Sequence, residues 1–300
     1  MTKGTLNHFP PILKLLTLII IVLTGSLILS LISLLIAKPV FGVDINSADD
    51  IYNNIQFLQV LQILQSLFVF ILPSTLAVHL LYLKNNEVIP GKGKFNLAFF
   101  LIAFITILLS QSFISWTAWI NQQLQLPEFL SSVTNWISLK EEQAANLTDL
   151  MLTTSDWKQT LVTVFLIAVL PAIGEEWLFR GLIQRELMNL FKNAHIAVII
   201  TAIIFSAIHI QFLTFLPRFV LGLILGYMMI YSRNIWMPIT AHFTNNFMAV
   251  IIYQFYQRNE PNFPNNETYY SFDASVIISL VIIIGSILAT YQLGKKQVNS

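Results

Sequence analysis

Residues 160–181 read TLVTVFLIAVLPAIGEEWLFRG, an apolar run that continues directly into Glu175, Glu176 and Arg180. The length and apolarity of the run predict a membrane helix. An ionised carboxylate at membrane depth is costly unless it is paired or hydrated, so an acidic pair in such a helix indicates a functional site. The rest of the chain determines what this site can do.

The whole chain is as apolar as this stretch. It has 300 residues, of which 56% are hydrophobic and 10% charged, with a mean hydropathy of +0.71, whereas globular proteins carry about 25% charged residues. Apolar runs recur along the full length, and no soluble domain fits between them. We therefore predict an all-α, polytopic membrane helix bundle with about eight transmembrane helices, forming a single transmembrane domain over residues 1–300. The predicted spans are residues 13–37, 57–83, 97–120, 160–173, 196–210, 218–231, 235–256 and 276–293.

Composition also excludes several classes of function. The net charge is +1 and no long basic run occurs, which argues against nucleic acid as a partner because phosphates require clustered Lys and Arg. The chain has no cysteine, so disulfides, thiolate nucleophiles and Cys-ligated metals are excluded. The first apolar run exceeds the length of a signal-peptide core, and we interpret it as a retained first helix.

The distribution of Lys and Arg predicts the orientation. With eight crossings, most basic residues fall on one side of the membrane and most acidic loops on the other, so both termini are expected in the cytoplasm. We expect an integral protein of a bacterial inner (cell) membrane. The basic side holds Lys3, Lys84, Lys92, Lys94, Arg185, Lys192, Arg233, Lys295 and Lys296; the acidic side holds Asp44, Asp49, Asp50, Glu141, Glu142, Glu260 and Glu267; the exceptions are Lys38, Lys140, Lys158, Arg218 and Arg258.

The longest polar connection, residues 121–158, carries Trp136, Leu139 and Leu147 at helical spacing, which predicts an interfacial amphipathic helix. Its Glu141-Glu142 pair lies in a polar setting with no arginine following at helical spacing. We interpret that pair as plain surface charge.

Helical geometry separates the two acids of the first motif. Glu176 and Arg180 are four residues apart and share a face, so they are expected to form an ion pair. Glu175 points about 100° away and is left free for another task. Gly174 and Gly181 would permit close approach by a neighbouring helix or a substrate backbone.

Two further polar pairs lie in apolar segments: Phe205 with His209, and His242 with Asn246, each four residues apart. Such stripes are expected to face the bundle interior, because an imidazole or amide turned to lipid would lack a hydrogen-bond partner. Taken singly, each polar residue more often serves to hydrogen-bond neighbouring helices than to catalyse a reaction, and a buried Glu–Arg pair is more often structural than catalytic. Together, a spare carboxylate, two imidazoles and an amide predict water activation and oxyanion stabilisation.

Taken in order, these motifs resemble those of the CAAX-protease and bacteriocin-processing family of intramembrane endopeptidases, which includes the Ras-converting CAAX endopeptidases. The resemblance covers roughly residues 160–250, the expected catalytic core helices. The three motifs are Glu175-Glu176-x-x-x-Arg180, Phe205-x-x-x-His209 and His242-x-x-x-Asn246.

The resemblance implies a role for each residue. Glu175 would be the general base that draws a proton from water, His209 would orient that water, and His242 with Asn246 would form the oxyanion hole. The substrate would be a membrane-associated peptide or protein, CAAX-like or bacteriocin-type, cut near its C-terminus. No metal or other cofactor is expected. As supporting residues, Glu176 and Arg180 would hold the motif helix in place and Phe205 would pack beside His209.

One expectation conflicts with this assignment. If the fifth span begins near Ile196 on the cytoplasmic side, His209 lies about 20 Å deep at about 1.5 Å per residue. Glu175 and His242 are expected closer to the cytoplasmic face. A tilted helix, a kink at Pro171 or displaced span ends would be needed to bring the three together.

Three other functions stay open at this point. A zinc metalloprotease could use His209, His242 and either Glu175 or Asn246 as ligands, although the His-Glu-x-x-His signature is absent. A non-catalytic membrane protein could bind a peptide in the same groove, as an immunity protein does. A transporter could use Glu175 as a proton relay, but no duplicated pattern of broken helices is present.

Overall fold

The computed structural model describes residues 4–82, 96–124, 126–154, 156–259 and 272–299, and every regular element in these ranges is helical. The predicted all-α class is confirmed. We number the long helices α1 Pro11–Phe41, α2 Ile55–Leu81, α3 Leu97–Gln122, α4 Ser131–Leu152, α5 Trp157–Phe191, α6 Ala194–Ala207, α7 Phe215–Ser232, α8 Trp236–Asn259 and α9 Ala274–Asn299.

Each predicted span corresponds to one of these helices. In the described part of the chain, six helical segments are long and apolar enough to cross a membrane, including α5 and Phe212–Ser232, which contains α7. The helix α6 is apolar but has only 14 residues, and α8 is long but carries the polar residues of the third motif. The chain is an integral membrane protein with a polytopic helical bundle.

Several predicted features lie outside the described residues. These are the end of the second span at Leu83, the connection at 85–94 and most of the connection at 259–266. Of the residues used to predict orientation, Lys3, Lys84, Lys92, Lys94, Glu260 and Glu267 lie outside as well.

The fourth span differs from its prediction. We expected the apolar span of residues 160–173 to run on into the acidic motif, but α5 continues further, through Gln184, and ends at Phe191. Two segments of α5, Phe165–Val169 and Trp177–Ile183, are wound as π-helix on either side of the acidic pair. Because π-bulges are frequent at functional sites, their position on both sides of Glu175 makes this turn of the helix a candidate site.

Two apolar clusters hold the bundle together. The first joins α1, α2, α5 and α6 through Leu18, Phe70, Leu178 and Phe205, among others. The second joins α3, α7, α8 and α9 through residues that include Phe99, Ile107, Leu225, Met237 and Ile283. The α6–α7 contact connects the two halves, and the acidic motif of α5 lies beside it.

Glycines permit two close helix contacts. A Cβ on Gly222 of α7 would lie 3.0 Å from Ala202 of α6, so a larger residue would push these helices apart. The expected close approach at Gly174 is present, since a Cβ there would lie 2.9 Å from that of Phe70 in α2. At Gly181 no neighbouring helix among the described residues makes such an approach, since the atoms nearest to a Cβ there belong to Trp177 and Glu176 of its own helix. Close approach by a substrate at Gly181 stays a prediction.

The long polar connection contains the predicted helix, α4, whose Trp136 ring packs edge-on against Phe212. Our interpretation of Glu141 as plain surface charge is wrong. Its carboxylate accepts a hydrogen bond of 2.8 Å from the backbone N–H of Leu213, just before α7. Glu142 is exposed, as expected. The helix α4 is thus tied to the segment that leads into α7.

Candidate active site

A cavity of about 500 Å³ lies between α2, α4, α5, α6, α7 and α8. All four residues predicted to be catalytic line it, so the structure brings the three motifs together. Its polar lining residues are Gln62, Gln65, Thr148, Glu175, His209, Gln211, Arg218, His242, Asn245 and Asn246, and its apolar ones include Phe70, Phe205, Ile208 and Leu221.

Glu175 is the acid that the protein leaves unpaired. Its side chain lies in the cavity wall with only 9% of the residue exposed. Its Oε2 atom is buried and has no hydrogen-bond partner among the described residues. A buried carboxylate oxygen without a donor is expensive unless it serves a ligand or a reaction. The prediction that one acid of the tandem pair stays free is confirmed.

Glu176 forms the centre of a buried polar network. Its Oε1 accepts from Arg180 at 2.7 Å, which confirms the predicted ion pair, and from His242 Nδ1 at 2.8 Å. The sequence did not predict the second contact. Arg180 also donates to the carbonyl of Gly222 at 3.3 Å, and its guanidinium lies 4.6 Å from the Phe205 ring centroid. The network therefore joins α5, α6, α7 and α8.

The bond to Glu176 determines the tautomer of His242. Because a carboxylate can only accept, His242 Nδ1 carries the hydrogen. With the hydrogen of the neutral ring on Nδ1, the other ring nitrogen, Nε2, bears a hydrogen only when the ring is an imidazolium. A positively charged His242 could then donate from Nε2 towards the cavity. This arrangement is compatible with stabilising a developing negative charge.

His209 lies in the turn that follows α6, just past the helix end, rather than within the span. Its Nδ1 lies 2.8 Å from the carbonyl oxygen of Phe205, so Nδ1 donates and a neutral ring has its lone pair on Nε2. The two rings contact edge-on at 5.3 Å between centroids, which confirms the predicted packing of Phe205. Phe205 also contacts the His242 ring, at 5.8 Å between centroids, and so packs against both imidazoles.

Asn246 has a structural bond that the sequence did not predict. Its Nδ2 donates to the carbonyl of Ile167 in α5 at 3.0 Å, and its Oδ1 accepts from Asn245. In an α-helix the Ile167 carbonyl would accept from residue 171, but Pro171 has no N–H to donate. Asn246 gives this carbonyl a side-chain donor in place of the backbone N–H that Pro171 lacks. One N–H of its amide remains for another acceptor.

The expected mismatch in depth does not occur. Because α5 continues to Phe191 and α6 begins at Ala194, Glu175 and His209 are separated from the α5–α6 turn by helical segments of nearly equal length. At a rise of about 1.5 Å per residue, both residues lie roughly 20–25 Å from that turn. The error lay in the predicted end of the fourth span, and a special kink is not required.

Sequence reasoning missed some of the cavity. Gln62 and Gln65 place two amides of α2 in its wall, and Arg218 of α7 adds a cation. We had interpreted Arg218 only as an exception to the charge bias. Two glutamines three residues apart in an apolar span were a signal that the sequence offered and that we did not use.

The zinc alternative gains no support from the geometry. In the ranges that the structure describes, no group of three or more His, Cys, Asp or Glu side chains is arranged to hold a metal ion. The four candidate residues include an amide, and Nδ1 of each histidine already has a partner, the Phe205 carbonyl for His209 and Glu176 for His242. A chelator experiment remains the direct test.

Comparison with known proteins agrees with the motifs. Residues 157–248, about a third of the chain, match the family model described as type II CAAX prenyl endopeptidase Rce1-like, which confirms the predicted resemblance. The matched region contains all seven predicted site residues.

One curated relative is the uncharacterized protein YpbD of Bacillus subtilis (strain 168). It is 30% identical over 90 residues, which cover 29% of this chain and 43% of YpbD. The chain thus aligns with less than half of that relative's length. No solved structure matches the chain.

Proposed function

We propose that the protein is an intramembrane endopeptidase that hydrolyses a peptide bond near the C-terminus of a membrane-associated peptide, with Glu175 activating the water. One observation carries the proposal: an unpaired, buried carboxylate lies on the same cavity wall as two imidazoles and an amide. The Rce1-like match over residues 157–248 supports a CAAX-type protease. The family's activity is carried to this chain through those residues alone.

In the proposed reaction, Glu175 accepts a proton from a water molecule that also hydrogen-bonds to Nε2 of His209. The water oxygen attacks the substrate carbonyl carbon and forms a tetrahedral oxyanion. The imidazolium of His242 and the remaining N–H of Asn246 donate to that oxyanion. The proton on Glu175 then passes to the amide nitrogen, the C–N bond breaks, and an acid and an amine leave. No covalent enzyme intermediate forms.

The buried network has a positioning role in this proposal. Glu176 holds His242 through Nδ1 and is itself neutralised by Arg180, so the imidazole has a fixed tautomer and orientation. Such orientation can be worth orders of magnitude in rate when a histidine must present one nitrogen to the substrate.

We also propose that both termini are cytoplasmic and that the membrane is a bacterial cell membrane.

The test uses purified full-length protein in detergent and a panel of fluorescent peptides that end in CAAX-like or bacteriocin-type sequences. Glu175→Gln and His209→Ala should lower kcat by about 10²- to 10⁴-fold. The exposed residues Glu142 and His195 provide matched controls, and Glu142→Gln and His195→Ala should cleave at the wild-type rate.

A peptide-binding protein without turnover would bind the same peptides and leave them intact. Equal cleavage by Glu175→Gln and wild type would rule out Glu175 as the base. Loss of activity with a chelator and recovery with zinc would instead favour the metalloprotease.

A further inference from the structure

Arg218 lines the cavity with a cationic side chain that the proposed reaction does not use. It lies near the start of α7, inside the membrane-spanning segment Phe212–Ser232, and lines the cavity together with Glu175. It is half-buried. A charged side chain at such a place is a functional-site hypothesis by default, and its natural partner is an anion.

The two arginines of the site differ in how their charges are satisfied. Arg180 is fully buried and neutralised by Glu176 at 2.7 Å. The guanidinium of Arg218 instead donates to two neutral oxygens, Thr214 Oγ1 and Gln211 Oε1. Within the described ranges, no carboxylate forms an ion pair with Arg218. In the described part of the protein its positive charge therefore has no carboxylate partner and is available to an anionic ligand.

Two carboxylates, Glu141 and Glu175, act electrostatically on Arg218, but neither forms an ion pair with it. Glu141 acts on Arg218 at a distance, but its carboxylate accepts from the backbone N–H of Leu213. Glu175 also acts on Arg218 without an ion pair between them. Both anions lie nearby, and neither neutralises the guanidinium by direct contact.

The guanidinium is also held in place for a ligand. Of its five N–H groups, two are used by Thr214 and Gln211, which leaves three donors on a side chain that is anchored at two points. A planar guanidinium fork matches a carboxylate in shape and can donate to both oxygens. Anchoring lowers the entropy cost of binding such an anion.

We propose that Arg218 binds the free α-carboxylate at the C-terminus of the substrate and so selects peptide bonds near a chain end. The proposal rests on the proposed function and specifies its substrate class. An α-carboxylate is present at every unmodified C-terminus, so the site would be independent of the terminal side chain. Because Arg218 and Glu175 are both fixed in one cavity, the number of residues between the cut bond and the terminus would also be fixed.

The test compares peptides that are identical except for a free acid or an amide at the C-terminus. Each pair is made with one to five residues beyond the intended cleavage site, and kcat/KM is measured with the full-length protein. Wild type should prefer the acid by about ten- to a hundredfold, the range of a charge-assisted hydrogen bond. The preference should be largest at one spacing.

Variants then assign the preference to Arg218. Arg218→Gln should bring the ratio of kcat/KM for the acid to that for the amide down to about one, whatever it does to the two rates together, while Arg218→Lys should keep part of the preference. Arg233 is exposed at the other end of α7, so Arg233→Gln removes the same charge away from the cavity and should keep the full preference. Size-exclusion profiles and melting curves verify that each variant is folded.

The outcomes separate this inference from the function itself. If wild type cleaves acid and amide equally, or if Arg218→Gln weakens both equally, Arg218 does not recognise the terminus although the protein is a peptidase. If no peptide is cleaved, binding to Glu175→Gln provides a second readout. Tighter binding of the acid that depends on Arg218 would support the recognition site without hydrolysis, and equal binding would overturn it.

Discussion

The network around Glu176 gives the most quantitative prediction. Arg180 is 1% exposed, its NH1 donates to Glu176 at 2.7 Å, and its Nε has no partner among the described residues. Glu176→Gln removes the carboxylate that neutralises this buried guanidinium and leaves an uncompensated charge. Breaking a buried ion pair from one side costs about 3–5 kcal/mol. We expect the free energy of unfolding to fall by that amount.

The second step of this prediction is the double variant Glu176→Gln with Arg180→Met. Methionine fills much of the arginine volume without a charge, and replacing both members of a buried pair is often neutral. We expect the double variant to recover most of the lost stability. Its activity should stay about 10²-fold below wild type, because glutamine cannot fix the tautomer and orientation of His242 as a carboxylate does.

The assay is unfolding by a denaturing detergent, followed by tryptophan fluorescence, in parallel with peptide cleavage. If Glu176→Gln is as stable as wild type, Arg180 is not neutralised as we describe. If the double variant recovers stability and full activity together, Glu176 has no role in positioning His242. Arg180→Met alone completes the double-mutant cycle and yields the coupling energy between the two residues.

The other predictions concern two hydrogen bonds and the metal. Asn246→Leu removes the donor to the Ile167 carbonyl and should cost about 1–3 kcal/mol of stability. Pro171→Ala returns a backbone N–H and should reduce the cost of Asn246→Leu. An unchanged cost of Asn246→Leu in a protein that also carries Pro171→Ala would contradict this account. Glu141→Ala should lose about 1–2 kcal/mol with its backbone hydrogen bond, whereas Glu142→Ala on the exposed neighbour should change stability by less than about 0.5 kcal/mol; similar losses from both would show that the contact is weak. A strong zinc chelator should leave the cleavage rate unchanged, and a loss that zinc reverses would contradict a metal-independent reaction.

Hydropathy was sufficient to predict the helices because every membrane span must be long and apolar. The ends of the spans were harder. Gln184 and Glu186 suggest solvent, but in the structure both are buried within α5. Gln184 donates to the carbonyl of Gly226, and Glu186 accepts from Tyr82. Polar side chains that are satisfied by other helices cannot be distinguished from a loop by sequence alone.

Local spacing also limited what could be predicted of the site. The Glu176–Arg180 pair lies within one turn of one helix, so the sequence was enough. The contacts of Glu176 with His242 and of Asn246 with Ile167 join residues 66 and 79 positions apart, and only the packed bundle creates them. Pro171 did indicate that a carbonyl would need another donor. The sequence did not identify which side chain would supply it.

The central claim is that water, activated by Glu175, attacks the peptide bond directly. It is tested by a single-turnover reaction in H₂¹⁸O with unlabelled enzyme in excess over the peptide, followed by mass spectrometry of the new carboxylate. We predict one ¹⁸O atom in every product molecule from the first turnover, and no product from Glu175→Gln on the same timescale. An acyl-enzyme adduct in the mass spectrum of the quenched enzyme, or an unlabelled first product that carries the oxygen of an enzyme carboxylate, would show that an enzyme oxygen attacks instead. Product formation by Glu175→Gln at the wild-type rate would contradict the proposed base.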